Sequence, residues 1–192
     1  MNQNRQSDAS RPVRVAERRY ARTLNFLSGS ANPPATILDL GTDNELAGHM
    51  RAAGYSVRNT SGDLDLTPDV VRGGGEDAVT AFEILEHLVS PFGVLRVIEA
   101  KRLFATVPLR LWFAAAYRNP SDPWDRHFHE FERWQFEWLL EKSGWSVIRS
   151  EVWTSPIASL GVRPLLRLFA PRYYAVEAVR PDPDPPASAS VP

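Results

Sequence analysis

The segment Glu76–Leu88, EDAVTAFEILEHL, constrains this chain more than any other. Ala78–Phe82 is a short apolar run that turns acidic at Glu83 and Glu86 and ends at His87. An apolar run that stops abruptly in charge reads as a central strand whose C-terminal end opens into a site. Ligands of open α/β sheets bind at such strand ends.

The flanking sequence supplies the partners such a strand needs. Val13–Leu27 has helical spacing, with Ala16, Tyr20, Leu24 and Leu27 on one side. Thr36–Leu40 reads as a buried strand running into Gly41. Asn44 or Asp43 caps a helix through about Ala53, Gly54 ends it, and Tyr55–Thr60 follows as a strand. Strand, helix and strand in so short a span make a βαβ unit with a parallel sheet. Ser61–Gly75 is loop-like, carries Asp63, Asp65 and Asp69, and contains no evident strand. Ser90-Pro91 opens a helix through Ala100, and Leu103–Val107 is a strand stopped by Pro108. Glu132–Ser143 is an amphipathic helix closed by Gly144, and Trp145–Val152 and Tyr173–Val179 form an antiparallel edge.

The expected architecture is an α/β, Rossmann-like fold. Its mostly parallel central sheet is flanked by helices, reduced in the middle, and antiparallel at its C-terminal edge. Residues 13–180 form one domain, between a disordered stretch 1–12 and a disordered Pro-rich tail 181–192.

Composition excludes several functions. A formal net charge of -1 and the lack of a basic stripe argue against nucleic acid as a partner. The absence of cysteine removes disulfides and thiol catalysis. No apolar run approaches the roughly 20 residues of a membrane span, and the polar start MNQNRQSDASRPVR has no secretory h-region. A cytoplasmic location is therefore expected, with no integral membrane segment.

The order ILDLG, an acidic loop, AFEILEHL, RLFATVP, then HEF before a helix ending in SGW resembles the class I S-adenosylmethionine-dependent methyltransferases. It is most similar to their small type 11 and type 12 groups, over Thr36–Val152. The resemblance implies S-adenosyl-L-methionine as cofactor and methyl transfer to an O or N atom of a small-molecule or glycan/lipid-type acceptor. It matches Asp39 and Gly41 to the first acid and glycine of the cofactor loop, which continues through Thr42. Phe82 and Glu83 match the wall beside the adenosine, and Asp63 and Asp65 are the carboxylates nearest the expected ribose acid. The family loop reads acid-x-Gly-x-Gly-x-Gly, whereas Asp43 and Glu45 stand here at the second and third glycines. That departure keeps a non-catalytic, methyltransferase-like scaffold as the alternative. G-x-G-x-x-G is absent, which argues against a dinucleotide-binding oxidoreductase.

Each candidate has a structural reading beside its functional one. Asp39 can cap nearby backbone amides, and Phe82 can be core. Glu86 and His87 can form a hydrogen-bonded pair that fixes the following helix. His127 and His129 lie two apart in an extended segment and are expected to point to one side. They are candidates for a catalytic base or for lid packing. Lacking a third partner at a recognisable spacing, they are not expected to bind metal. Arg110 and Trp112 within Leu109–Tyr117, and Arg163, Arg167 and Arg172 within Gly161–Tyr174, can shape an acceptor pocket or cover the sheet while the arginines reach water. A homodimer surface or lipid-facing patch is the third reading of these stretches, because Trp112, Phe113, Leu165, Leu166 and Phe169 exceed what the core needs.

Overall fold

Neighbouring residues of each central strand belong to opposite faces, and that alternation organises the molecule. In the computed structural model, β1 (Thr36–Asp39), β2 (Ser56–Asn59), β3 (Ala78–Phe82) and β4 (Arg102–Pro108) run parallel. Residues 6–122, 125–154 and 170–181 are described, with side chains from Ala16 onward. Arg163, Arg167, Leu165, Leu166, Phe169 and the tail beyond Pro181 lie outside the described residues.

The sheet order is β2-β1-β3-β4-β6-β5. Here β5 is Ser146–Trp153, and β6 is Tyr173–Val179, antiparallel to both β4 and β5. The last strand in sequence is thus inserted between β4 and β5. Burial explains why: β6 is buried at six successive positions, whereas β5 is largely exposed. The stretch between β2 and β3 holds only a 3₁₀ turn, Pro68–Val71. The reduction expected in the middle of the chain therefore falls at the margin of the sheet, leaving β2 as an edge.

On one face, Ile37, Ala78, Phe104, Tyr173 and Ala175 pack with Phe26 and Leu27 of α1 (Gln6–Ser28) and with Ala47 and Met50 of α2 (Glu45–Ala52). On the other, Leu38, Val79, Ala105, Tyr174 and Val176 pack with Val94 and Leu95 of α3 (Pro91–Val97) and with Phe136 and Leu140 of α4 (Arg133–Lys142). Helix α1 begins at Gln6, before the expected Val13, and buries Thr23 and Phe26 as well as Leu27.

Local capping follows the sequence at α2, where the Asn44 side chain accepts from the Ala47 amide. At α4, Glu132 and Gln135 form a reciprocal capping box. Ser90 precedes α3 without a side-chain cap; its amide donates instead to Asp65 Oδ1. Leu109–Tyr117 contains no helix or strand. Leu109 bridges to Phe131 and Leu111 is buried, but Trp112 is 80% exposed.

Candidate functional site

The C-terminal ends of β1, β2 and β3 border a hollow of about 870 Å³, within the roughly 300–1,000 Å³ of small-molecule sites. Gly41 lies beneath it after β1. Gly62 to Leu66 form one wall, and Ile84 with His87, Leu88 and Val89 form another. Arg126 and Phe128 close the third side from the loop before α4.

Gly41 fits that position for a backbone reason. Its φ is +97°, and a Cβ placed on it would stand 2.9 Å from Ile84 Cδ1. Its amide donates to Thr60 Oγ1 at 2.7 Å, which ties the end of β1 to the end of β2. The bare backbone leaves room that any side chain would fill, as a cradle for a nucleoside cofactor requires.

The sequence-derived cofactor residues divide into two groups. Gly41, Asp63 and Asp65 line the hollow; Asp39, Thr42, Phe82 and Glu83 are not among its lining residues. Asp39 is buried, accepting from Thr80 Oγ1 at 2.6 Å and Asn59 Nδ2 at 3.0 Å. Burial pushes its carboxyl up to about 6, against the pull of those two hydrogen bonds. Thr42 is exposed. Phe82 packs against the cluster beneath α1, because it shares strand parity with Ala78. Asp65 bonds both oxygens to backbone, accepting from Val89 N at 2.8 Å and Ser90 N at 2.7 Å. It clamps one wall of the hollow to the other. Asp63 Oδ1 accepts from the Asp65 amide and shapes the turn.

Glu83 terminates β3 with φ at 54°, a conformation non-glycine residues rarely adopt and one that concentrates at functional sites. Its carboxylate lies 3.8 Å from Arg19 of α1, and its Oε1 is buried with no hydrogen-bond partner. Glu86 is 1% exposed, and its Oε2 is likewise buried and unpartnered. Burial drives the Glu86 carboxyl well above the carboxylate range, and the like charge of Glu83 adds to it. Glu86 and His87 are not the hydrogen-bonded pair the sequence suggested, since Oε1 and Nε2 are 3.9 Å apart.

The loop before α4 is anchored by backbone: the Glu86 carbonyl accepts from Phe128 N at 2.8 Å and His129 N at 3.2 Å. Its two histidines have separate surroundings. His127 Nδ1 meets Glu130 Oε1 at 3.0 Å, and its ring packs between Tyr117 and His87. His129 stacks on Phe131 and places Nε2 3.4 Å from the Val89 carbonyl; neither histidine is among the residues lining the hollow. Sequence reasoning missed Ile84, Arg126 and Phe128 as lining residues, and the only available signal was proximity to EILEHL and HEF.

The methyltransferase-domain family profile matches residues 13–150. No curated protein sequence matches the chain. Among solved structures, the fold is similar to a chain of the Haloferax volcanii complex between the Trm112 methyltransferase activator and a methyltransferase, at 12% identity and a TM-score of 0.57, covering 94% of this chain and 97% of that one. It is also similar to an S-adenosylmethionine-dependent methyltransferase from Archaeoglobus fulgidus, at 15% identity and a TM-score of 0.53, covering 88% and 94%. A third is the magnesium protoporphyrin IX methyltransferase of Synechocystis PCC 6803 with bound S-adenosylhomocysteine, at 15% identity and 0.51, covering 87% and 84%. The hollow's position at the strand ends and its bare-backbone floor agree with that match. The chain belongs to the methyltransferase-domain family, and S-adenosyl-L-methionine is the cofactor this assignment carries.

Proposed function

We propose that the hollow binds S-adenosyl-L-methionine and that the protein transfers its methyl group to an O or N atom of a small-molecule or glycan/lipid-type acceptor. The observation that carries this reading is Gly41, whose positive φ and side-chain-free surface floor a cavity of cofactor size. The cofactor supplies an activated methyl, so the chain's own tasks are binding, orientation and exclusion of water. Gly41, Asp63 and the clamp of Asp65 are the proposed cofactor contacts and supports. Leu64, Leu66, Ile84, Leu88 and Phe128 supply apolar lining.

For a hydroxyl acceptor a base is needed, and His129 suits that role better than His127. The Val89 carbonyl can only accept, so a bond from His129 Nε2 leaves its Nδ1 with the lone pair. His127 is 9% exposed, with Nδ1 engaged by Glu130, and so has less access to an acceptor. The test is calorimetric titration and thermal shift with S-adenosylmethionine and S-adenosylhomocysteine. Stabilisation by both supports the assignment; no heat and no shift at millimolar ligand would leave the scaffold reading.

A further inference from the structure

We infer that Glu86, His87 and His127 form a binding site for a divalent transition-metal cation beside the hollow. One carboxylate oxygen of Glu86 and one ring nitrogen from each histidine all lie within 4.8 Å of one another. The residues arrive from two segments, the 3₁₀ turn Leu85–His87 after β3 and the loop before α4. The contacts of the Glu86 carbonyl with Phe128 and His129 hold those segments together.

A second observation comes from unmet polar demand. Glu86 is 1% exposed, and its Oε2 has no partner. A buried carboxylate oxygen without a donor costs free energy that folding does not recover. Glu83 Oε1, three residues earlier, is orphaned as well. A cation held between Glu86 and the two histidines gives this buried carboxyl a polar partner that it otherwise lacks at Oε2.

The donor set indicates the class of ion. Two imidazoles and one carboxylate suit zinc, manganese, iron, cobalt or nickel, whereas magnesium and calcium favour all-oxygen shells. Glu130 at His127 Nδ1 is the outer carboxylate that commonly orients a metal-binding imidazole. Three protein ligands leave at least one coordination position for an exogenous donor. Because His87 also lines the hollow, that donor can be an oxygen of the methyl acceptor, which orients a hydroxyl-bearing substrate. This last step rests on the reading of the hollow as the cofactor and acceptor site; the cation site does not.

The experiment uses the full chain, stripped with EDTA and dialysed, titrated with Zn²⁺ by calorimetry and with Co²⁺ by visible absorption. Expected are one ion per chain, Co²⁺ bands of nitrogen and oxygen coordination, and little heat with Mg²⁺. His127→Asn and Glu86→Gln should each weaken Zn²⁺ by at least about tenfold, while His49→Asn should leave it unchanged. Thermal melts check that each variant folds. In the unaltered protein, Mn²⁺ should broaden the ring protons of His87 and His127 before those of His49, which reads the same contact without any substitution. Unaltered Zn²⁺ affinity in folded variants, no Zn²⁺ binding at millimolar metal, or broadening led by His49 would overturn the site. Thermal shift with S-adenosylhomocysteine in EDTA separates the two readings: a shift without zinc binding retains the cofactor pocket and discards the cation site, and the converse result does the reverse.

Discussion

The rings of His87 and His127 meet edge to face, with centroids 4.9 Å apart and planes at 88°. One residue follows the central strand and the other precedes α4, so this contact joins the wall of the hollow to the loop that covers it. Its geometry depends on the Glu86 carbonyl, which accepts two amides from that loop.

Gly41 should tolerate no side chain. Gly41→Ala puts a Cβ at positive φ, which costs about 1–2 kcal/mol, and sets it 2.9 Å from Ile84 Cδ1. A lowered melting temperature is expected together with a loss of S-adenosylhomocysteine affinity of about tenfold or more, measured by calorimetry.

Asp65 links the walls of the hollow through the amides of Val89 and Ser90. Asp65→Ala removes both bonds; water can reach the exposed amides of Val89 and Ser90, so the cost is about 1 kcal/mol. Faster amide hydrogen exchange at Val89 and Ser90 and weaker cofactor binding are the expected outcomes. Unchanged exchange there would remove the clamp.

His129→Gln should lower kcat about 10²–10⁴-fold with a hydroxyl acceptor while leaving cofactor affinity within a factor of about two. The same change should have little effect with an acceptor amine already neutral at the assay pH. Comparing the two acceptors by single-turnover kinetics checks the assignment.

Asp39 gives a pH dependence of defined sign. Burial, only partly opposed by Thr80 and Asn59, raises its folded pKa to about 6 from an ordinary 3.8. The folded state therefore binds the proton more tightly than the unfolded chain. Its contribution to stability is greatest below the unfolded value and declines as pH rises through that window, by about 3 kcal/mol in all. Asp39→Asn should flatten this part of the profile, as measured by urea unfolding of both proteins from pH 4 to 7.

Glu177 shows the opposite sign. Burial alone would raise its carboxyl, but hydrogen bonds from Arg102, Ser30 and Arg149 outweigh it and hold the pKa below the usual value. Those bonds are 2.5 Å from Arg102 Nη2, 2.7 Å from Ser30 Oγ and 2.8 Å from Arg149 Nε. Stability from this group is present above the unfolded carboxylate pKa and lost as pH falls through the folded one. Glu177→Ala should cost about 3 kcal/mol near neutrality, the low end for a broken buried pair, because both arginines retain some access to water. Chemical denaturation checks the magnitude.

Much of the sheet was readable because its signals are local. The apolar run of β3, the Asn44 cap and the buried strand before Gly41 each carry their meaning within a few residues. Strand parity could also have directed Phe82 toward the α1 face, since Ala78, Thr80 and Phe82 alternate with Val79 and Ala81. The insertion of β6 between β4 and β5 was not readable, because strand order depends on which surfaces bury most apolar area together.

By itself, then, the sequence determined the αβ alternation, the strand that ends at Phe82 just before Glu83, and the glycine at the foot of the hollow. Tertiary structure alone decided that Asp65 serves as a clamp, that His127 and His129 part company, and that His127 lies beside Glu86 and His87. The physical reason is range: periodicity and capping act over one or two turns of chain, whereas a site assembled from separated loops exists only after the sheet has fixed the distances between them.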